Sequence, residues 1–339
     1  MPAPPSTRAA RGRIQRVLAL VVALTAGARA DDSRARGEFT MHGYLPDYRP
    51  KSFGDAACAL PHARVLAFSA HPSPSGDGLV NAGSVSPARG ACGTDLVVGG
   101  GGRGGDGFAV AVRGGGAGVA RLAAVVADAV VKGGFQGVSY DWEYPQSDEE
   151  WIGYAELLRA TRRALNAATD ENALALSLAI HPSRETFEAL KNHRIIDVVD
   201  WVHVMAYDNV RDPKGHATLS FAEELVKYTR SATSVNKFTL GIPFYARALG
   251  NPGDAKTYEE IRRDAGEAFD AKENRHGAYA FDSVSDVRRK VRLASDAGYA
   301  GVMIWELGQD VEPSAREDSL LGAIAEEVAR VNARIRDEL

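Results

Sequence analysis

Phe135-Gln136-Gly137-Val138-Ser139-Tyr140-Asp141-Trp142-Glu143-Tyr144-Pro145 is the stretch on which the reading of this chain turns. Its apolar and aromatic residues interleave with small and acidic ones, and a proline closes it, as for a short strand. Strand alternation sends Ser139, Asp141 and Glu143 to one side. Two carboxylates at i and i+2 repel each other, which raises at least one pKa toward the working range of a general acid. Capping of the next helix is a poorer use for them, because that helix starts later, near Ser147.

Outward from this strand, short apolar runs alternate with longer helical patterns. Further strands are expected at Phe39 to Tyr44, Arg64 to Ser69, Asp95 to Gly99, Leu174 to Ile180, Trp201 to Ala206, Phe238 to Ile242 and Gly301 to Trp305, with Val138 to Asp141 as the fourth of eight. Helical periods fall at Val119 to Lys132, Glu149 to Ala168, Phe221 to Thr233 and Thr257 to Phe269. Strand-helix alternation implies parallel strands. Eight units suit an α/β fold of the single-domain (β/α)8 TIM-barrel kind better than an open doubly wound sheet of five or six strands. The Pro, Gly and Ser-rich stretch from His71 to Gly93 has no helical period and reads as a long loop. In a barrel, chemistry sits at the carboxyl ends of the strands, where Asp141 and Glu143 lie.

At this point the chain resembles a family. Asp141-Trp142-Glu143-Tyr144-Pro145 is similar to the core of the D-x-x-D-x-D-x-E signature of glycoside hydrolase family 18, the retaining chitinases and their relatives. The likeness continues in His42-Gly43-Tyr44, Ala67-Phe68, Gly101-Gly102, Met205-Ala206-Tyr207-Asp208, Gly241-Ile242-Pro243-Phe244-Tyr245 and Gly301-Val302-Met303-Ile304-Trp305-Glu306. The segment between Tyr245 and the eighth strand is too short for the extra α+β domain of many large chitinases, so the chain resembles the short form with a shallow cleft.

The resemblance implies substrate-assisted hydrolysis of β-1,4-linked N-acetylglucosamine in chitin or chitooligosaccharides, an exception to the two-carboxylate scheme. Glu143 is then the acid-base, Asp141 holds the acetamide N–H, and Tyr207 donates to the acetamide oxygen. Trp305 floors the sugar, and Tyr44, Phe68, Trp142, Met205, Asp208 and Tyr245 are the further substrate-binding residues. No cofactor is implied, and the expected partner is an oligosaccharide or polysaccharide met by a monomer.

The chain also departs from the family pattern. Gln136 and Ser139 stand where the first two acids are expected, Gly99 replaces a serine, and Arg103 a tryptophan. Serine can hydrogen-bond Asp141 but cannot carry its proton, so Asp141 is expected to stay ionised. These losses leave two other outcomes, a chitinase-like lectin that binds without cutting and an endo-β-N-acetylglucosaminidase. The Gly100-x-Gly102-x-x-Gly105 pattern is formally a dinucleotide fingerprint, but Gly114 to Gly116 interrupts any following helix and no ribose-binding acid follows. Gly137-x-Ser139 lacks the second glycine of a nucleophile elbow.

Composition is that of a folded protein, with 45% hydrophobic and 25% charged residues and a formal charge of −4. No basic surplus exists to neutralise nucleic-acid phosphates. In residues 1–30, five arginines and no acid flank the apolar run Val17 to Ala26, which closes on Ala28-Arg29-Ala30. That is the pattern of a secretory signal peptide, too short to span a bilayer, although an organellar transit peptide shares the Arg-rich, acid-poor composition. Its removal leaves residues 31–339 as the hydrolase-like domain, with 35 basic against 44 acidic residues, a charge of −9. The expected destination is extracellular or a lysosome-like compartment, without membrane attachment. In that setting Cys58 and Cys92 are expected to pair. The histidines show no metal-ligand spacing, so no metal is expected.

Overall fold

Eight parallel strands close on themselves in the computed structural model: β1 (Thr40–Pro46), β2 (Ala63–Pro72), β3 (Gly93–Gly99), β4 (Gly137–Asp141), β5 (Ala175–Ile180), β6 (Trp201–Val204), β7 (Phe238–Pro243) and β8 (Gly301–Trp305). The structure describes residues 37–169, 173–229, 234–312 and 316–338. The leader-like segment, Met1 to Ala30, lies outside them. Closure is set by β1, which pairs with β2 through Met41↔Ala63 and with β8 through Thr40↔Gly301. The fold is the (β/α)8 barrel expected, with helices between strands. Because each strand has helices on one side and the barrel interior on the other, it is buried on both faces.

Helix boundaries follow local chemistry. Ser147 caps Asp148–Ala168 by accepting from the Glu150 N–H, and three acids in the first turn suit the positive end of the helix dipole. The helical period read from Val119 begins earlier, at Gly115, after a break at Gly114 that separates Gly105–Arg113 from Gly115–Gly133. The helix expected from Phe221 to Thr233 runs Leu219–Thr229, and residues 230–233 lie outside the described ones. That expected from Thr257 is closed by a capping box with Glu260 and yields to a 3-10 turn at Gly266–Ala268. In the loop after β2, Leu79–Val80 folds back antiparallel on His71 and Pro72.

The stretch after β7, for which the sequence suggests only the helix from Thr257 to Phe269, also holds a small four-stranded antiparallel sheet. Tyr245–Ala248 and Asn251–Thr257 form its first hairpin, and Tyr279–Ala280 pairs back on Tyr245–Ala248. It stands over the carboxyl end of the barrel as an appendage of the β7–β8 connection, consistent with a short form of the fold.

The barrel interior is unusually polar. At the amino end, Arg64 donates through Nε and Nη2 to both oxygens of Asp95, at 2.7 and 2.5 Å, and its guanidinium lies 5.1 Å from the Trp201 ring centroid. Above this pair, His42 and His203 face each other at 5.1 Å between centroids, each fully buried and touching a threonine hydroxyl, Thr40 at 2.8 Å and Thr239 at 2.7 Å. Burial lowers both imidazole pKa values, aided by the Arg64 charge, and takes His203 from 6.5 to about 3.

Cys58 ends the first helix, Ser52–Cys58, and bonds to Cys92 at the entrance of β3, with 5.0 Å between Cα atoms and a sequence separation of 34. Chain-entropy arithmetic for such a loop gives about 3–4 kcal/mol. Replacing both cysteines by alanine should lower the denaturation free energy by about that amount in urea titrations, and no change would show that the bond does not constrain the unfolded chain. The buried imidazoles make a second expectation. Their folded-state pKa values lie below the unfolded value, so the unfolded chain binds more protons and stability is lost as pH falls from 6.5 toward 3. Each contributes a slope approaching about 1.4 kcal/mol per pH unit. Urea midpoints between these limits should fall with acid, and His203→Asn should flatten the fall by about one proton.

Candidate active site

The carboxyl ends of the strands frame a cleft of about 390 Å3 lined by Tyr44, Asp141, Glu143, Tyr207, Asp208, Tyr245, Arg247 and Trp305, among others. Asp141 is the last residue of β4 and Glu143 stands at the lip just beyond it. A glycine turn after β3 presses against both. Gly100 N–H donates to the Asp141 carbonyl at 2.6 Å, and Gly101 N–H donates to Glu143 Oε1 at 2.7 Å. The φ angles of Gly99, Gly100, Gly101 and Gly102 are +104°, +93°, +60° and +75°. A Cβ at Gly99 would lie 2.3 Å from the Asp141 carbonyl oxygen, and one at Gly100 would lie 2.2 Å from the Phe68 ring. Only glycine tolerates both the conformation and the approach. The peptide bonds after Phe68, Glu143 and Trp305 are cis.

Asp141 is 3% exposed, and its Oδ1 has no hydrogen-bond partner among the described residues. Burial, reinforced by the Glu143 charge, pushes its carboxyl well above the usual range. This corrects the expectation of an ordinary ionised acid. Ser139 was considered only as a hydrogen-bond donor, and its Oγ is itself buried and unpartnered, so it does nothing to hold a charge on Asp141. Gln136, at the other departure, has left the site altogether. Its amide accepts from Thr94 N–H and donates to the Gly134 carbonyl, both at 2.8 Å, and ties β3 to the entrance of β4.

On the opposite wall, Asp208 follows β6 with φ +62°. Arg247 grips both of its oxygens, through Nε at 2.5 Å and Nη2 at 2.8 Å, and the Tyr245 hydroxyl donates to it at 2.6 Å. Burial opposes ionisation here, but the contacts from His216, Arg247 and Tyr245 outweigh it and hold the carboxyl below its usual range. Tyr207, one residue earlier, is nearly buried, and its hydroxyl meets nothing stronger than the Met303 thioether at 3.9 Å. Burial keeps that hydroxyl protonated by raising its pKa. It is a donor held ready in an apolar wall.

Trp305 ends β8, with the Tyr44 ring 5.4 Å and the Phe68 ring 5.0 Å from its own. Glu306 behind it accepts from Arg49 Nε and the Tyr48 hydroxyl, each at 2.6 Å, and so pins the loop after β1. Of the residues expected around a substrate, Tyr44, Met205, Asp208, Tyr245 and Trp305 line the cleft, whereas Phe68 lies beneath it and supports Trp305. Trp142 is a correction. Alternation turns it away from Asp141 and Glu143, and its ring stacks at 5.3 Å on Phe108 among the outer helices. Arg247 and His181 also line the cleft. Arg247 stands two positions after Tyr245 on one strand, a spacing that signals a shared face. His181, immediately after β5, lies 5.5 Å from the Tyr144 ring, and only its position at a strand end could have marked it.

Comparison gives the family. The model of glycosyl hydrolases family 18 matches residues 94–310, and the chain belongs to that family. It is 25% identical over 235 residues to chitinase 1 of Aphanocladium album, a match covering 56% of this chain and about half, 54%, of that relative. A class V chitinase of Nicotiana tobaccum, solved in complex with NAG4, superposes with a TM-score of 0.69 at 19% identity, covering 86% of this chain and 99% of the other. A chitinase-like agglutinin of Robinia pseudoacacia does so at 0.66 and 24%, covering 86% and 98%.

Asp208 is 42% exposed and Arg247 24%, so their pairing is screened on one side. A double-mutant cycle with Asp208→Asn and Arg247→Gln should give a coupling of about 1 kcal/mol in urea titrations. Strict additivity would mean that the clamp holds nothing.

Proposed function

We propose that this protein hydrolyses β-1,4-linked N-acetylglucosamine glycans of the chitin type, with the substrate's own acetamide as nucleophile. The observation that carries this reading is the state of the cleft's carboxylates. Asp208 is engaged by Arg247 and Tyr245, and Glu260 is tied into the capping box with Thr257. Among the described residues, only the adjacent pair Asp141 and Glu143 is left for chemistry, on one wall, with no acid free on the opposite one to form a glycosyl ester.

In this reading a sugar ring lies on Trp305, its apolar face against the indole. The acetamide oxygen reaches the Tyr207 hydroxyl and its N–H reaches the unpartnered oxygen of Asp141. Glu143, steered by the Gly101 N–H, delivers its proton to the glycosidic oxygen as the acetamide oxygen bonds to the anomeric carbon. The bond to the leaving sugar breaks and an oxazolinium forms. Glu143, now a carboxylate, takes a proton from water as that water attacks the same carbon, which returns the acetamide and retains configuration. Burial, and then the Glu143 charge beside it, raises the Asp141 carboxyl above its usual range. A secreted or secretory-pathway location follows from the leader-like sequence and the bonded cysteines.

Glu143→Gln keeps the shape and loses the proton, so kcat on chitooligosaccharides should fall by about 10²–10⁴ while binding survives in calorimetry. Unchanged turnover overturns the assignment, and binding without turnover in the wild type would make the protein a lectin. Substrate assistance has its own check. Fully de-acetylated oligomers should resist cleavage and an N-acetylglucosamine thiazoline should inhibit. Comparable cleavage of the de-acetylated oligomer would require a nucleophile from the protein.

A further inference from the structure

The turn that steers Glu143 carries a single side chain. Gly100-Gly101-Gly102-Arg103-Gly104 is otherwise all glycine, is closed by Arg103 N–H donating to the Gly100 carbonyl at 3.1 Å, and leads into the helix at Gly105. The Arg103 guanidinium lies 5.3 Å over the Phe68 ring, whose other face of contact is Trp305 at 5.0 Å. A cation therefore stands at the rim of the cleft, next to its aromatic floor.

Other cations around this cleft are spent. Arg247 and Arg49 hold Asp208 and Glu306 at 2.5 and 2.6 Å, and Lys256 holds Asp264 at 2.7 Å. Among the described residues Arg103 pairs only with Asp47, at 3.9 Å, whose other oxygen accepts from Asn81 at 2.7 Å. With its side chain 39% exposed, Arg103 keeps N–H donors open to solvent. Beside it, Tyr48 is 57% exposed, yet its hydroxyl is fastened to Glu306, and the Arg103 charge acts on that hydroxyl. The corner thus combines a fixed open ring with a planar, permanently charged fork.

We propose that Arg103 makes this rim a subsite for a carboxylate-bearing sugar, so that the preferred substrate is an N-acetylated glycan carrying acidic groups. The inference rests on the hydrolase reading above and names its substrate class. A guanidinium laid on an aromatic ring is held flat and offers paired N–H groups that match a carboxylate's two oxygens. A neutral sugar uses only one such donor per hydroxyl and gains nothing from the charge. Attraction to a carboxylate at this exposed rim is also screened by salt, which gives it a signature separate from stacking.

The test compares three tetramers: N-acetylchitotetraose, the same tetramer oxidised to carboxylates at C6, and the methyl ester of the oxidised form, which keeps shape without charge. Wild type should cut the carboxylated tetramer with kcat/KM about tenfold above the ester at about 50 mM salt, and the advantage should shrink at about 500 mM. Arg103→Gln should bring the ratio near one, and Arg103→Lys should restore part of it. Equal kcat/KM on acid and ester by the wild type, or an advantage that survives Arg103→Gln, overturns the proposal. If the glutamine variant does not fold, the wild-type salt dependence decides. If no tetramer is cut, the hydrolase reading has failed, and calorimetric Kd values for the same three ligands then read the carboxylate preference independently.

Discussion

Everything at the reacting end of this barrel depends on how closely two backbones can approach. The turn after β3 lies so near β4 that its amides reach the Asp141 carbonyl and the Glu143 carboxylate, at 2.6 and 2.7 Å. The cost is four consecutive glycines with positive φ, which lose more conformational entropy on folding than any other residue would. The return is a carboxylate aimed by a peptide N–H rather than by a side chain with freedom of its own. Phe68 closes the arrangement from beneath, filling the space that a side chain on Gly100 would need and bracing Trp305 at the same time.

The barrel was legible because eight apolar runs separated by helical periods have few other ways to bury themselves. Glu143, Asp141, Tyr207 and Trp305 were legible because they are unusual residues at strand ends. Trp142 was not, since the motif groups it with the acids while the pleat sends it to the opposite side of β4. The ionisation of Asp141 was missed for a different reason. Reasoning from the pair at positions 139 and 141 considered only who could hold a proton. The larger influence is burial, to which the glycine turn, distant in sequence, contributes by lying against the Asp141 carboxyl. The clamp of Arg247 on Asp208 spans 39 residues and two elements, and the small sheet that presents it has short strands with little apolar alternation.

Polar residues inside the barrel are distributed by layer. An ion pair, Arg64 with Asp95, occupies the amino end, two neutral histidines the middle, and the acids of the site the carboxyl end. Buried charge is expensive unless paired, and the pair at the bottom meets that condition with two hydrogen bonds. In the middle layer the same cost is avoided by keeping His42 and His203 uncharged. Ser139 belongs to this middle layer. It is a small polar residue where a second carboxylate would have to be accommodated in the same buried surroundings, which already push the Asp141 carboxyl above its usual range.

The hairpin of Tyr245–Ala248 and Asn251–Thr257 lines the cleft from both strands but grips Asp208 through the inner one only. That inner strand carries Tyr245 and Arg247, while the outer one is largely exposed and crosses a register shift between Asn251 and Ala255. Length added at the turn would therefore raise one bank of the cleft without disturbing the barrel's hydrogen-bond ladder or the clamp on Asp208. Cleft depth and the geometry of the carboxylates are thus separately heritable in this architecture: the hairpin tip can drift in length while its inner strand stays answerable to the clamp on Asp208.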